Sequence, residues 1–109
     1  MSRPCKCRLI SGYPSVTYYK PAGIPLRGLE EVRLTMDGLE AIRLADEEGL
    51  GMAEAAARMG VSRHTFGRIL AFAHKSVAQA IVHGRALRVG GGHCVVSPKS
   101  CQNEVDQDE

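Results

Sequence analysis

The chain of 109 residues has the length of a single domain, and its 44% apolar side chains supply one modest core. No apolar run approaches the roughly 20 residues of a membrane-spanning helix, and Met1-Ser2-Arg3-Pro4-Cys5-Lys6-Cys7-Arg8 turns polar before a signal-type apolar core develops, so a cytoplasmic protein is expected. The formal net charge of +2 averages over blocks of opposite sign, and the blocks say more than the sum.

In chain order, Pro4, Pro14, Pro21 and Pro25 with Gly12, Gly23 and Gly28 interrupt the first thirty-odd residues too often for a long helix. Short extended pieces fit instead. Val16-Thr17-Tyr18-Tyr19 is β-branched and aromatic, Pro21-Ala22-Gly23 reads as a turn, and Glu31-Val32-Arg33-Leu34 alternates like a half-buried strand. Helical signals begin at Asp37, read as an N-cap with Glu40 reaching back in a capping box, and run to Glu47 or Glu48 before Gly49. The apolar side of this helix is Leu39, Ile42 and Ala45, with Leu44 alongside. A second, short helix spans Met52 to Met59 and stops at Gly60, which accepts the left-handed conformation of a helix exit. Ser62 caps a third helix of about 20 residues that ends at Gly84; Phe66, Ile69, Leu70, Ala73, Val77, Ala80 and Ile81 form its buried stripe, with His64, Arg68 and Lys75 opposite. Ala86-Leu87-Arg88-Val89 reads as one more strand, and Gly90-Gly91-Gly92 as a flexible exit.

The predicted fold is mainly α: a three-helix helix-turn-helix domain with a short β-structured N-terminal segment and a flexible C-terminal tail. Three regions follow: 1–34 extended, 35–89 helix-turn-helix, and 90–109 a tail that carries glycines and cysteines and ends acidic. The stretch from Met52 to Ile69 meets the requirements of that motif. Ala56 is small where two helices cross, Gly60 permits the tight turn, and Met59, Val61, Phe66 and Ile69 close the core behind it. Ser62, Arg63, His64, Gly67 and Arg68 are left to face outward, with Arg63 and His64 in the first turn, where a recognition helix meets base edges.

Charge supports this reading. Residues 37–54 are acidic, whereas from Ala55 to Asn103 there is no carboxylate and Arg58, Arg63, Arg68, Lys75, Arg85, Arg88 and Lys99 all occur there. A basic half is the footprint of a polyanion binder. Arg68 and Lys75 are expected on phosphate, Arg58 on phosphate or in solvent, and Thr65 completes the candidate DNA-binding set with Ser62, Arg63, His64 and Gly67.

The residues also resemble a known family. Arg3-Pro4, Lys6-Cys7-Arg8, Val16-Thr17-Tyr18, Tyr19-Lys20-Pro21-Ala22-Gly23-Ile24-Pro25-Leu26 and Leu39-Glu40-Ala41-Ile42-Arg43-Leu44-Ala45-Asp46 match its pattern. So do Glu54-Ala55-Ala56, Met59-Gly60-Val61-Ser62-Arg63, Thr65-Phe66, Arg68-Ile69-Leu70 and Gly91-Gly92. The chain is similar to uncharacterised protein family 0251, also called domain of unknown function 134. The resemblance implies a prokaryotic DNA-binding protein whose helix-turn-helix looks like region 4 of the sigma-70 class, the promoter-reading region. The departure is at His93-Cys94, where family members often have a polar-aromatic pair.

The cysteines fall at the two ends. Cys5, Cys7, His93, Cys94 and Cys101 offer soft ligands for zinc or an iron-sulfur cluster if the termini meet, although the spacings C-x-C and C-x₆-C are not those of two zinc knuckles; free thiols are the alternative. No nucleophile elbow surrounds Ser62, and Gly90-Gly91-Gly92 lacks the lysine of a phosphate loop, so no enzyme is expected. The expected function is sequence-specific binding of double-stranded DNA in the major groove by a transcriptional regulator, as a homodimer, since one such motif reads few base pairs. The alternatives are a helical protein-interaction module and a regulator that senses metal or redox state through its terminal cysteines.

Overall fold

The computed structural model describes residues 8–92 and 94–96. In chain order these form β1 (Arg8–Ile10), β2 (Tyr18–Tyr19), β3 (Glu31–Leu34), α1 (Met36–Ile42), a π-helical turn over Arg43–Glu47, α2 (Met52–Met59), α3 (Arg63–His83), β4 (Ala86–Val89) and β5 (Cys94–Val96). The fold is mainly helical with short strands, as the sequence pattern predicts.

The central connection is the pairing of β3 with β4. They run parallel, Glu31 opposite Ala86 through Leu34 opposite Val89, while Tyr18 and Tyr19 of β2 add antiparallel to the other side of β4. Parallel neighbours need a long crossover, and here the whole helical segment supplies it, with both its ends tied to one sheet. The predicted alternation in β3 holds: Val32 and Leu34 are buried, Glu31 and Arg33 exposed. Beyond the three glycines the chain adds β5, which pairs parallel with β1, Arg8 opposite Cys94. No sequence signal marked that pairing, because three-residue strands carry too little periodicity.

Two apolar clusters flank α1. Ala41 and Leu44 pack with Ala55, Ala56, Met59 and Phe66 on the α2 side, whereas Met36 packs with Ile10, Leu34, Ala73 and Val89 on the sheet side. Leu39 and Ile42, expected as the apolar face, join the second cluster. A helix buried on two sides needs both sets, so the single stripe read from sequence was incomplete.

The start of α1 also differs from expectation. Thr35, not Asp37, is the N-cap, its Oγ1 accepting from the Gly38 amide at 3.1 Å. Asp37 is buried in the first turn, where its Oδ2 accepts from Arg8 at 2.9 Å. Glu40 does not reach back; its carboxylate takes Arg43 at 2.8 and 3.1 Å and the Ser11 hydroxyl at 3.2 Å. Arg8, 29 residues away, holds Asp37, while Arg43 on the next turn and Ser11 hold Glu40, and a capping rule considers none of them. The helix widens after Ile42 into the π turn, closed by the Glu48 amide on the Arg43 carbonyl at 2.9 Å, before it stops at Gly49 as predicted.

The next boundaries follow the sequence. α2 exits at Gly60, at φ +70°, and the Val61 amide returns to the Ala56 carbonyl at 3.0 Å, a Schellman-type closure that satisfies helix-end carbonyls. Ser62 then caps α3, accepting from the Thr65 amide at 3.0 Å. Along α3, Phe66, Ala73 and Ala80 are buried and Ile69, Leu70 and Val77 half-buried. Ile81 is the exception, 74% exposed at the rim of an apolar groove between α3 and the β2–β4 side. At 100° per residue it lies well around the helix from Ala80, and α3 there outlasts the core that covers its earlier turns. Ser76 is buried in its stead. No helix among the described residues is long and apolar enough to cross a membrane.

Candidate nucleic-acid interface

The α2–turn–α3 unit presents most of the candidate residues to solvent. Arg58, Ser62, Arg63, His64, Arg68 and Lys75 are exposed and Thr65 is half-buried. His64, Arg68 and Lys75 fall within about 40° of one another around α3, and Arg63, in the first turn, lies about 100° around the helix from His64. Ser62 and Thr65 are partly committed to each other: besides the cap, their hydroxyls lie 3.0 Å apart. Gly67, expected to face outward, is half-buried against α2, where an added Cβ would stand 3.1 Å from Met52 Cε. Its small size serves the helix crossing, together with Ala56.

Ion pairing sorts the basic residues more sharply than their positions along the chain do. Arg58 is drawn to Glu54 at 3.5 Å and Glu48 at 4.0 Å. Arg85 pairs with Glu30 at 3.0 Å. Arg88 takes both oxygens of Glu31 at 2.9 Å, its guanidinium 4.7 Å from the centre of the Tyr18 ring, while the Tyr18 hydroxyl donates to Glu31 at 2.8 Å. The Arg88 hydrogen bonds, then that of Tyr18, hold the Glu31 carboxyl down at about 2; the same contact with Glu31 raises the pKa of Tyr18 and of Arg88. Among the described residues, Arg63, Arg68 and Lys75 enter no ion pair. These three are the described arginines and lysines of the sequence's basic half that stay out of ion pairs, and all three lie on α3.

Much of the acidic block is engaged in the same way, although Glu47 is exposed and enters no ion pair among the described residues. Asp37 is paired with Arg8 at 2.9 Å, Glu40 and Glu48 with Arg43, Asp46 with His74 at 2.7 Å, and Glu54 with Arg58. Glu40 is the main cause that raises the Arg43 pKa.

The family model described as a protein of unknown function, DUF134, matches residues 1–97. The chain belongs to the DUF134 family. Its similar relatives carry the name UPF0251 protein: one of Moorella thermoacetica is 57% identical over 91% of this chain and 67% of its own length. Another, of Desulforudis audaxviator, is 57% identical over 85% of this chain and 61% of its own, and one of Dehalococcoides mccartyi is 50% identical over 93% and 86%. The chain thus spans about two thirds of the first two relatives. No solved structure gives a significant match.

For this DUF134 chain the candidate metal ligands Cys5, Cys7, His93 and Cys101 lie outside the described residues, and Cys94 stands in β5. Among the described residues no three His, Cys, Asp or Glu side chains gather as a metal site would require.

Proposed function

We propose that this DUF134 protein binds double-stranded DNA, with the start of α3 in the major groove, and acts as a transcriptional regulator. The observation that carries the reading is the sorting of charge: Arg63, Arg68 and Lys75 stand exposed and unpaired among the described residues, on the helix that follows a tight glycine turn. Arg63 and His64 occupy the first turn and reach base edges; a guanidinium there pairs bidentately with guanine O6 and N7. Arg68 and Lys75, one and three turns on, meet phosphate. Two copies on a palindromic site supply the base pairs that one motif does not read.

Selection of bound duplexes from a random pool, followed by affinity measurements on the selected and a random duplex, tests the division of labour. Arg63→Ala lowers the ratio of the two affinities by about 5- to 100-fold, the worth of one base contact. Lys75→Ala weakens both duplexes alike. Equal loss on both duplexes for Arg63→Ala contradicts its reading role.

A further inference from the structure

A second feature of α3 lies on the side that faces the start of α1. There a groove of about 510 Å³, within the range of small-ligand sites, is lined by Arg8, Thr35, Asp37, Thr65, Arg68 and Phe72 among others. Its hydrogen-bonding capacity is one-sided. Asp37 is the one carboxylate among the described residues of the lining, and each of its oxygens already accepts a hydrogen bond, Oδ2 from Arg8 and Oδ1 from the Gly38 amide at 2.9 Å. Arg8 spends Nη1 on that contact, and neither its other side-chain N–H groups nor the Arg68 side chain hydrogen-bond to another described residue. Thr35 Oγ1 accepts from the Gly38 amide, which leaves its O–H to donate. Two guanidiniums against one carboxylate leave a net positive charge and unused N–H donors, which favours an oxyanion.

Phe72 adds the second half of the argument. It is 64% exposed, one turn beyond Arg68 and two beyond Thr65, so its ring shares their face of α3. A bare phosphate would leave that ring without a purpose, and a purely apolar ligand would leave two cations without one. We propose that the groove binds a nucleotide unit, with Arg8 and Arg68 on the phosphate and Phe72 against the sugar or base.

Two sources carry this chemistry. One is a nucleotide of the bound duplex, which extends the interface from α3 onto β1 and α1 and rests on the function proposed above. The other is a free mononucleotide, which shares Thr65 and Arg68 with the DNA face and so competes with DNA.

The test uses the full chain, ¹⁵N-labelled, titrated separately with 5′-deoxyadenosine monophosphate, inorganic phosphate and a duplex of about 20 base pairs. The amides of Thr35, Thr65, Arg68 and Phe72 shift saturably with the mononucleotide, the duplex or both, and inorganic phosphate binds more weakly than the mononucleotide wherever the latter binds. Phe72→Ala, at an exposed position, leaves the remaining spectrum in place and weakens the responsible ligand by about fivefold or more. Loss on the duplex alone assigns the groove to a DNA strand, and loss on the mononucleotide alone assigns it to a free ligand. The proposal is overturned if neither ligand shifts these amides, if Phe72→Ala changes neither affinity, or if phosphate binds as well as the mononucleotide. Duplex binding that needs Arg63 while the groove stays silent overturns this proposal and leaves the DNA reading intact. A mononucleotide in the groove without duplex binding does the reverse.

Discussion

Gly38 shows how much of the fold rests on single side chains. A Cβ there would stand 3.0 Å from Thr35 Oγ1 and 3.2 Å from Ala73 Cβ and Leu34 Cδ1, so hydrogen at this position lets α1 lie close on α3 and the sheet. Alanine favours a helix by about 1 kcal/mol over glycine, but overpacking costs about 1–3 kcal/mol, and the neighbours here come from β3, α3 and the N-cap residue. Gly38→Ala therefore lowers the thermal midpoint by several degrees; an unchanged or raised midpoint would show that the crossing has slack. Glu31 sets a pH dependence at the same scale. Its folded pKa of about 2 lies below the ordinary 4.5, so the stability it contributes is full above about pH 4.5 and is lost as pH falls through about 2. Urea midpoints measured across that window fall less steeply for Glu31→Gln than for the native chain; parallel curves would contradict the assignment. Neither role is legible in the sequence, where Gly38 merely follows the expected start at Asp37 and Glu31 is one side of an alternating strand. Their partners come from β4 and α3, far along the chain.

Elements whose ends are set locally were legible. Gly60 and Ser62 fix the turn between α2 and α3 through contacts within four or five residues, and the sequence placed both. Ser62 carries two loads, as the N-cap of α3 and as a residue at the reading end, and substitution separates them. Ser62→Ala removes the cap and costs about 1 kcal/mol. Ser62→Asp keeps a capping oxygen and the stability, but places a negative charge beside Arg63 and weakens duplex binding. Denaturant melts and duplex affinities on the two variants check this; equal duplex affinity for Ser62→Asp and the native chain would remove the start of α3 from the interface. What failed at this scale depended on neighbours. The stripe of α3 was continued to Ile81 because periodicity does not report where the covering sheet ends, and the π turn after Ile42 has no local signal in Arg43-Leu44-Ala45-Asp46-Glu47.

At the scale of the molecule, the parallel pairing of β3 with β4 anchors both ends of the helical segment, and ion pairs redistribute the charge that the sequence shows as blocks. Among the described residues, the basic half shrinks to Arg63, Arg68 and Lys75 once Glu30, Glu31 and Glu54 have taken Arg85, Arg88 and Arg58. The candidate site was thus legible as a helix and a sign of charge. Which cations stay free was not, because pairing across up to 57 residues is a property of the fold. Affinity for duplex DNA as a function of salt tests this most directly. Each phosphate contact contributes about 0.9 to the slope of log affinity against log salt. We expect a steep fall for the native chain and a slope about two units shallower when Arg68 and Lys75 are both replaced by glutamine. Affinity that does not move with salt, or a slope that the double replacement leaves unchanged, would contradict the assignment of α3 as the DNA-binding face.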